Sequence, residues 1–191
     1  MDYNNYIELL SSRLDEYRFK HSLCVADEAK RLAEKYGADT EKAYLAGLLH
    51  DITKNAPISE HLQIFTQFDI MLNDIEKNAK KLWHAMSGAA YIEHILNISD
   101  RDIIAAVRYH TTARAGMTKF EKIIYLADFT SLDRDYDDVG VIRQYVDESL
   151  DKAFIYALQY SICDLVNNKK AVHSDTLAAF NEAVLLGGNI V

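Results

Sequence analysis

His50 and Asp51 close the stretch Ala43-Tyr-Leu-Ala-Gly-Leu-Leu-His50-Asp51, seven largely apolar residues followed by an imidazole beside a carboxylate. A buried carboxylate is costly unless something pairs with it. Imidazole and carboxylate together suit iron, zinc, manganese and similar divalent ions. Neighbouring side chains on a helix diverge by about 100°, so one ion over this pair needs ligands from other segments. Taken alone, the pair also fits a helix that ends in two polar residues at the surface. The same placement recurs, however. His21, His50-Asp51, His84, His110 and Asp128 each sit near the end of an apolar helical run. Helix ends from separate segments converge in bundles, and metal sites in bundles are built that way. Neutral imidazoles bind the ion and carboxylates offset its charge. A single histidine is more often structural than a ligand; the recurrence shifts that balance. His61 and His94 lie in amphipathic stretches without an adjoining acid and read as surface or packing residues, and His173 serves as a further control.

The elements that must carry these residues follow from hydrophobic periodicity. Tyr3, Tyr6, Ile7, Leu10 and Leu14 form one face of a first helix. Phe19, Leu23, Ala26, Ala29, Leu32, Ala33 and Tyr36 mark a second and longer one, stopped at Gly37. Asp39 caps the next, which delivers His50-Asp51. Pro57 opens a loop before a short helix with Leu62, Ile64, Phe65 and Phe68. Residues 69–80 read as loop and short helix. A further helix begins at Leu82-Trp83-His84 and continues through Leu96. Ser99 is expected to cap the helix that ends at His110, with Asp102 completing a box. Thr118 and Glu121 open the apolar run that delivers Asp128. After the acidic loop 131–138, one long helix is expected over about 147–169, then a last one from Ser174 to about Leu186, fraying at Gly187-Gly188. No hairpin signal or repeat appears. The expectation is an all-α protein with one domain over residues 1–191.

Composition agrees. Of 191 residues, 49% are hydrophobic and 26% charged, with one Pro and seven Gly. So few breakers leave room for long helices. The net charge of −8 disfavours binding to nucleic acid or an anionic membrane, and no apolar stretch approaches a membrane span. An anionic substrate therefore needs local cations to draw it in. Cys24 and Cys163, far apart, form neither a metal motif nor a disulfide framework; they read as buried thiols of a reducing cytoplasm. The first five residues carry no signal-peptide pattern.

The order His21, His50-Asp51, Asp128 resembles the HD superfamily of metal-dependent phosphohydrolases. The contexts Tyr17-Arg-Phe-Lys-His21-Ser, Gly47-Leu-Leu-His50-Asp51-Ile-Thr-Lys54, Leu82-Trp-His84, Arg108-Tyr-His110-Thr-Thr and Glu121-Lys-Ile-Ile-Tyr-Leu-Ala-Asp128 are similar to those of the bacterial YqeK-type hydrolases. The likeness runs from Tyr17 to Asn181. It implies a helical HD-domain bundle and symmetrical hydrolysis of diadenosine tetraphosphate and related dinucleotides to nucleoside diphosphates such as ADP. It also implies a metal centre held by His21, His50, Asp51 and Asp128, with iron first and manganese, zinc or cobalt as alternatives. The chain departs from the family pattern where relatives usually read Glu-Pro-Asn-Arg: here the residues are Ser131-Leu-Asp-Arg134. Met86-Ser87 after His84 also differs from a Pro-containing version.

On this resemblance, the ion would lower the pKa of a water, while Lys54 and Arg134 would offset phosphate charge. Without the resemblance, Lys54 reads as a solvated lysine and Arg134 as a salt-bridge partner in its acidic loop. His84 and His110 have two readings: ligands, with Asp51, of a second metal, or phosphate contacts with a general-acid role. The second is preferred, which makes Asp51, His84 and His110 the expected catalytic set. Thr111 and Arg18 are further candidates for phosphate, Arg18 equally for pairing with an acid. Trp83 and Tyr109 are expected in the core rather than against a base. Rival expectations are an HD phosphatase acting on mononucleotides or a guanosine alarmone, and a non-catalytic nucleotide-sensing module. A second copy of the chain is a candidate partner.

Overall fold

The computed structural model describes residues 3–187, and among these every regular element is helical. The order is α1 (Asn4–Arg13), α2 (Glu16–Tyr36), α3 (Thr40–Leu49), α4 (Ile58–Gln67), α5 (Asp74–Asn78), α6 (Trp83–Ala90), α7 (Arg101–Tyr109), α8 (Lys119–Thr130), α9 (Val139–Glu148), α10 (Leu150–Asn167) and α11 (Ser174–Leu186). A 3-10 turn at Lys80–Leu82 leads into α6, and a wider π turn at Tyr91–Ile95 prolongs it.

α3 is the central element. Ala43 and every residue from Leu45 to Leu49 are buried, so the helix is enclosed on nearly all sides. Its start is fixed by Asp39, whose carboxylate accepts from the main-chain N–H groups of Glu41 and Lys42. α2 packs along it, begun by an Asp15 cap and ended by Gly37 at φ 64°. The two backbones nearly touch at Gly47. A Cβ there would lie 2.9 Å from both Ala26 Cα and Val25 O. This close approach sets His21, on α2, against the C-terminal end of α3. α8 closes the third side, with Ile123 to Ala127 all fully buried. Its start is the box expected from sequence: Thr118 accepts from Glu121 N–H while the Glu121 carboxylate accepts from Thr118 N–H.

Several expected boundaries move. Pro57 is itself the residue before α4, so no loop intervenes. Asp100, not Ser99, caps α7, accepting from Asp102 and Ile103 N–H; a carboxylate is the stronger acceptor at a helix's positive end. The helix expected over 147–169 starts later, at Leu150: Ser149 is extended at φ −158° and its hydroxyl caps α10 from Lys152 N–H, while a separate helix, α9, occupies Val139–Glu148, most of which is assigned no element from sequence. Asp128 lies inside α8 rather than at its end. Cys24 is half-buried and Cys163 exposed, against the expectation of two buried thiols. Gly188 falls outside the described residues. Among the described residues, no helix is long and apolar enough to cross a membrane.

Candidate metal centre

Six side chains meet where the ends of α3 and α7, the start of α6 and the inner faces of α2 and α8 converge. His50 follows α3, and its Nδ1–H donates to Gly47 O at 2.7 Å. His110 follows α7 and does the same to Val107 O, also at 2.7 Å. Each ring thereby satisfies a carbonyl that a helix C-terminus leaves open. Each is also fixed in the tautomer whose Nε2 carries a lone pair. His21 projects from α2 with Nε2 2.9 Å from Asp128 Oδ1. His50 Nε2 lies 3.6 Å from Asp51 Oδ2 and 3.9 Å from Asp128 Oδ1. Ligand atoms of His21, His50 and Asp51 fall within 4.8 Å of one another, as do those of His50, His110 and Asp128, and those of Asp51, His84 and His110.

The donor set fits a divalent cation, on the evidence of two orphaned atoms. His50 Nε2 and Asp51 Oδ1 are buried and have no hydrogen-bond partner. Buried polar atoms without partners are uncommon, and both sit among imidazole nitrogens and carboxylate oxygens. Asp51 Oδ1 lies 3.1 Å from His84 Nε2 and 3.5 Å from His110 Nε2. Burial alone would raise the Asp51 carboxyl; His50, His110, His84 and Lys54 outweigh it and hold the group well below the usual carboxylate range. Burial also opposes ionisation of Asp128, and Arg134, His21 and His50 reverse it. Burial pushes the His50 imidazole down to about 3 and His84 to about 4, so both rings are neutral at pH 7. Neutral imidazole and ionised carboxylate are the forms that bind metals.

Three cationic side chains ring the cluster. Arg18 Nη1 donates to Asp51 Oδ2 at 3.2 Å. Lys54 Nζ lies 3.0 Å from His84 Nε2 and 3.5 Å from Asp51 Oδ1, and burial lowers its pKa. Arg134 donates through Nη2 to Asp128 Oδ1 and through Nε to the Asp128 carbonyl. Arg18 thus makes the acid pair that is one of its two readings, whereas the acid that Arg134 meets is Asp128 of α8 and not one of its own loop. Thr111 Oγ1 is buried without a partner. His84 is placed by Thr53, whose hydroxyl donates to His84 O at 2.9 Å.

Trp83, Tyr109 and the three other histidines make contacts outside the cluster. Trp83 is buried against Phe65 and donates Nε1–H to Glu76 O at 2.7 Å. Tyr109 lies between the guanidiniums of Arg108 and Arg114. His61 is buried, with Nδ1 2.8 Å from Ser87 Oγ; His94 stacks on Phe68; His173 caps α11. Sequence reasoning missed Asp133. Its Oδ2 accepts from His21 Nδ1–H at 2.7 Å across 112 residues of chain, a pairing that no local pattern announces.

An all-helical fold whose helix ends gather histidines and aspartates around orphaned ligand atoms defines a metal-dependent hydrolase. The chain belongs to the HD domain family, whose model matches residues 18–133. It is 33% identical over 181 residues to a symmetrical bis(5'-nucleosyl)-tetraphosphatase of Bacillus subtilis, covering 95% of this chain and 97% of the relative. A Staphylococcus aureus protein of the same name is 36% identical over 175 residues, covering 91% of this chain and 90% of that one. The crystal structure of a Clostridium acetobutylicum protein, described as a predicted HD superfamily hydrolase involved in NAD metabolism, superposes with a TM-score of 0.93 at 34% identity. The match covers 97% of this chain and 98% of that one.

Proposed function

We propose that this chain hydrolyses diadenosine tetraphosphate and related dinucleoside polyphosphates symmetrically, taking up water and releasing two nucleoside diphosphates. The observation that carries the reading is the pair of orphaned atoms, His50 Nε2 and Asp51 Oδ1, inside a ring of Arg18, Lys54 and Arg134. The likeness to tetraphosphatases over nearly the whole chain supplies the substrate class. In this reading His21, His50, Asp51 and Asp128 hold the ion, and residues 1–191 act as one catalytic domain. The main apolar cluster, drawing on residues from Leu10 to Ala179, supports treating the chain as one unit. Iron is the ion we favour, with manganese, zinc and cobalt suited to the same donors. When bound, the ion supplies a Lewis acid to phosphoryl oxygen and lowers the pKa of water.

The chain's own residues do the rest. Lys54, Arg18 and Arg134 provide the positive charge that a polyphosphate bridge requires and that the net charge of −8 does not. His110 is held by Val107 as an acceptor at Nε2, 3.1 Å from His84 Nε2. Lys54 Nζ points at the same place. The Lys54 ammonium converging there with the two rings is suited to a phosphate oxygen, and it can pass a proton to the leaving nucleoside diphosphate. This supports a single-ion site, because the Lys54 ammonium already supplies the cation beside Asp51, His84 and His110. Thr111, adjacent to His110, offers its unpartnered hydroxyl to the same phosphates. Two free thiols, one exposed, support a place in the reducing cytoplasm.

The test is purification without oxygen, elemental analysis, and initial rates on diadenosine tetraphosphate, simple nucleotides and guanosine tetraphosphate, with products resolved by chromatography. ADP is expected as the main product, with turnover lost to a chelator and restored by added ion. ATP plus AMP, or faster turnover of a mononucleotide or the alarmone, would overturn the substrate. Tight nucleotide binding without turnover would make the chain a sensor.

A further inference from the structure

The histidines of the cluster are not all held alike. His50 and His110 follow helix ends, where a free carbonyl three residues back takes the Nδ1–H. His21 lies within α2, where the preceding carbonyls are engaged by the helix itself. Its ring therefore needs an acceptor from elsewhere, and the loop after α8 brings one. Asp133 Oδ2 accepts from His21 Nδ1 at 2.7 Å, while Asp133 Oδ1 accepts from Ser131 Oγ at 2.8 Å. The carboxylate is thus held at both oxygens, and its side chain is 10% exposed. Arg134, the next residue, anchors the same loop to Asp128 through Nε and Nη2. Arg143 fixes the loop from behind, donating to the carbonyls of Thr130, Ser131 and Arg134.

We infer that Asp133 is the positioning residue of the metal centre, orienting His21 so that Nε2 faces Asp128 and His50. The inference rests on the metal reading above. It assigns a role to the stretch Ser131-Leu-Asp133, which is where this chain departs from the pattern it otherwise resembles. His50 and His110 have neutral carbonyl acceptors at Nδ1; His21 has an anionic one. An anionic acceptor makes Nε2 the more basic donor as well as fixing the ring. Cys24, one turn beyond His21 on α2, faces the same carboxylate; burial and Asp133 push its thiol up, so it stays protonated.

Two variants separate orientation from charge. Asp133→Ala removes both, whereas Asp133→Asn keeps a carbonyl acceptor and loses only the charge. The measurements are calorimetric titration of Mn2+ into the metal-free full-length protein and the tautomer of His21 by nitrogen-15 NMR in the same sample. Mn2+ affinity is expected to fall about 10–100-fold in Asp133→Ala, the range typical of lost partners to ligating histidines. Asp133→Asn is expected to lose less and to keep the Nδ1–H tautomer that Asp133→Ala loses. If both variants bind Mn2+ within about twofold of wild type, well inside that range, the inference is overturned and the metal centre stands. If the wild type itself binds no Mn2+ or iron, the metal reading falls, and this one with it. Should Asp133→Ala not fold, Asp133→Asn decides: full Mn2+ affinity together with a changed tautomer would overturn the inference.

Discussion

Replacing Gly47 by Ala sets two effects of opposite sign against each other. Within a helix, Ala is favoured over Gly by about 0.8–1.0 kcal/mol, so an open site would gain stability. Gly47 is not open. Its new Cβ would lie 2.9 Å from Ala26 Cα and Val25 O and 3.1 Å from Ala26 N, all main-chain atoms that cannot rotate away. Carbon contacts are comfortable near 3.5 Å, so α2 must retreat by about 0.6 Å. Overpacking of this kind costs about 1–3 kcal/mol. The net expectation is a loss of up to about 2 kcal/mol, or up to about 8 °C in Tm at roughly 2–4 °C per kcal/mol for a chain of this size. The effect on the site is larger. His21 is on the displaced helix and His50 is three residues from Gly47, so the retreat passes directly into the spacing of the two ring nitrogens. Misplacement by about 1 Å can cost about 100-fold in rate. Thermal unfolding by circular dichroism, beside initial rates of ADP formation well below Tm, gives both numbers. A higher Tm with unchanged kcat/KM would refute the argument that backbone contact between α2 and α3 sets the site.

Asp51→Ala is expected to abolish turnover while the far-ultraviolet spectrum keeps its helical shape; retained turnover would remove Asp51 from the mechanism. Glu76→Ala tests a group remote from the chemistry. Glu76 is buried, pairs with Arg108 at 3.1 Å, lies 3.5 Å from His173 and completes the α5 box with Asn73. Breaking a buried pair from one side costs about 3–5 kcal/mol, and the 27% exposure of the Arg108 side chain reduces this to about 2–3 kcal/mol. Urea unfolding should show that loss with kcat of the folded enzyme little altered. A change below about 0.5 kcal/mol, the usual effect of a surface substitution, would mean the pair is not stabilising.

The candidate cluster was legible where its side chains follow helix ends. His50-Asp51 and His110 each terminate an apolar run, and the run is what the eye of a periodicity argument detects. Asp128 was found for the same reason, although α8 continues past it to Thr130. The break at Ser149 was not legible, because Val146 and Leu150 continue the apolar spacing and the cap signal Ser149-Leu-Asp151 is short. At the start of α7, Ser99 and Asp100 are adjacent and both can cap; only the geometry chose the carboxylate. The acid partners of Arg18 and Arg134 and the Asp133 contact to His21 depend on tertiary approach, which no local window contains. The exposure of Cys163 shows the same limit: the buried residues of α10 end at Leu158, and Val166, one turn past the cysteine, is exposed as well.

At His50 and His110 the atom that selects the ring tautomer is a peptide oxygen, Gly47 O in one case and Val107 O in the other. A side-chain substitution at either of those positions leaves the oxygen in place. The choice of tautomer at two of the four rings is therefore written into the backbone and not into a side chain. A protein engineer seeking to retune the centre would find these two rings stubborn, and would have to reshape a helix end to turn either one.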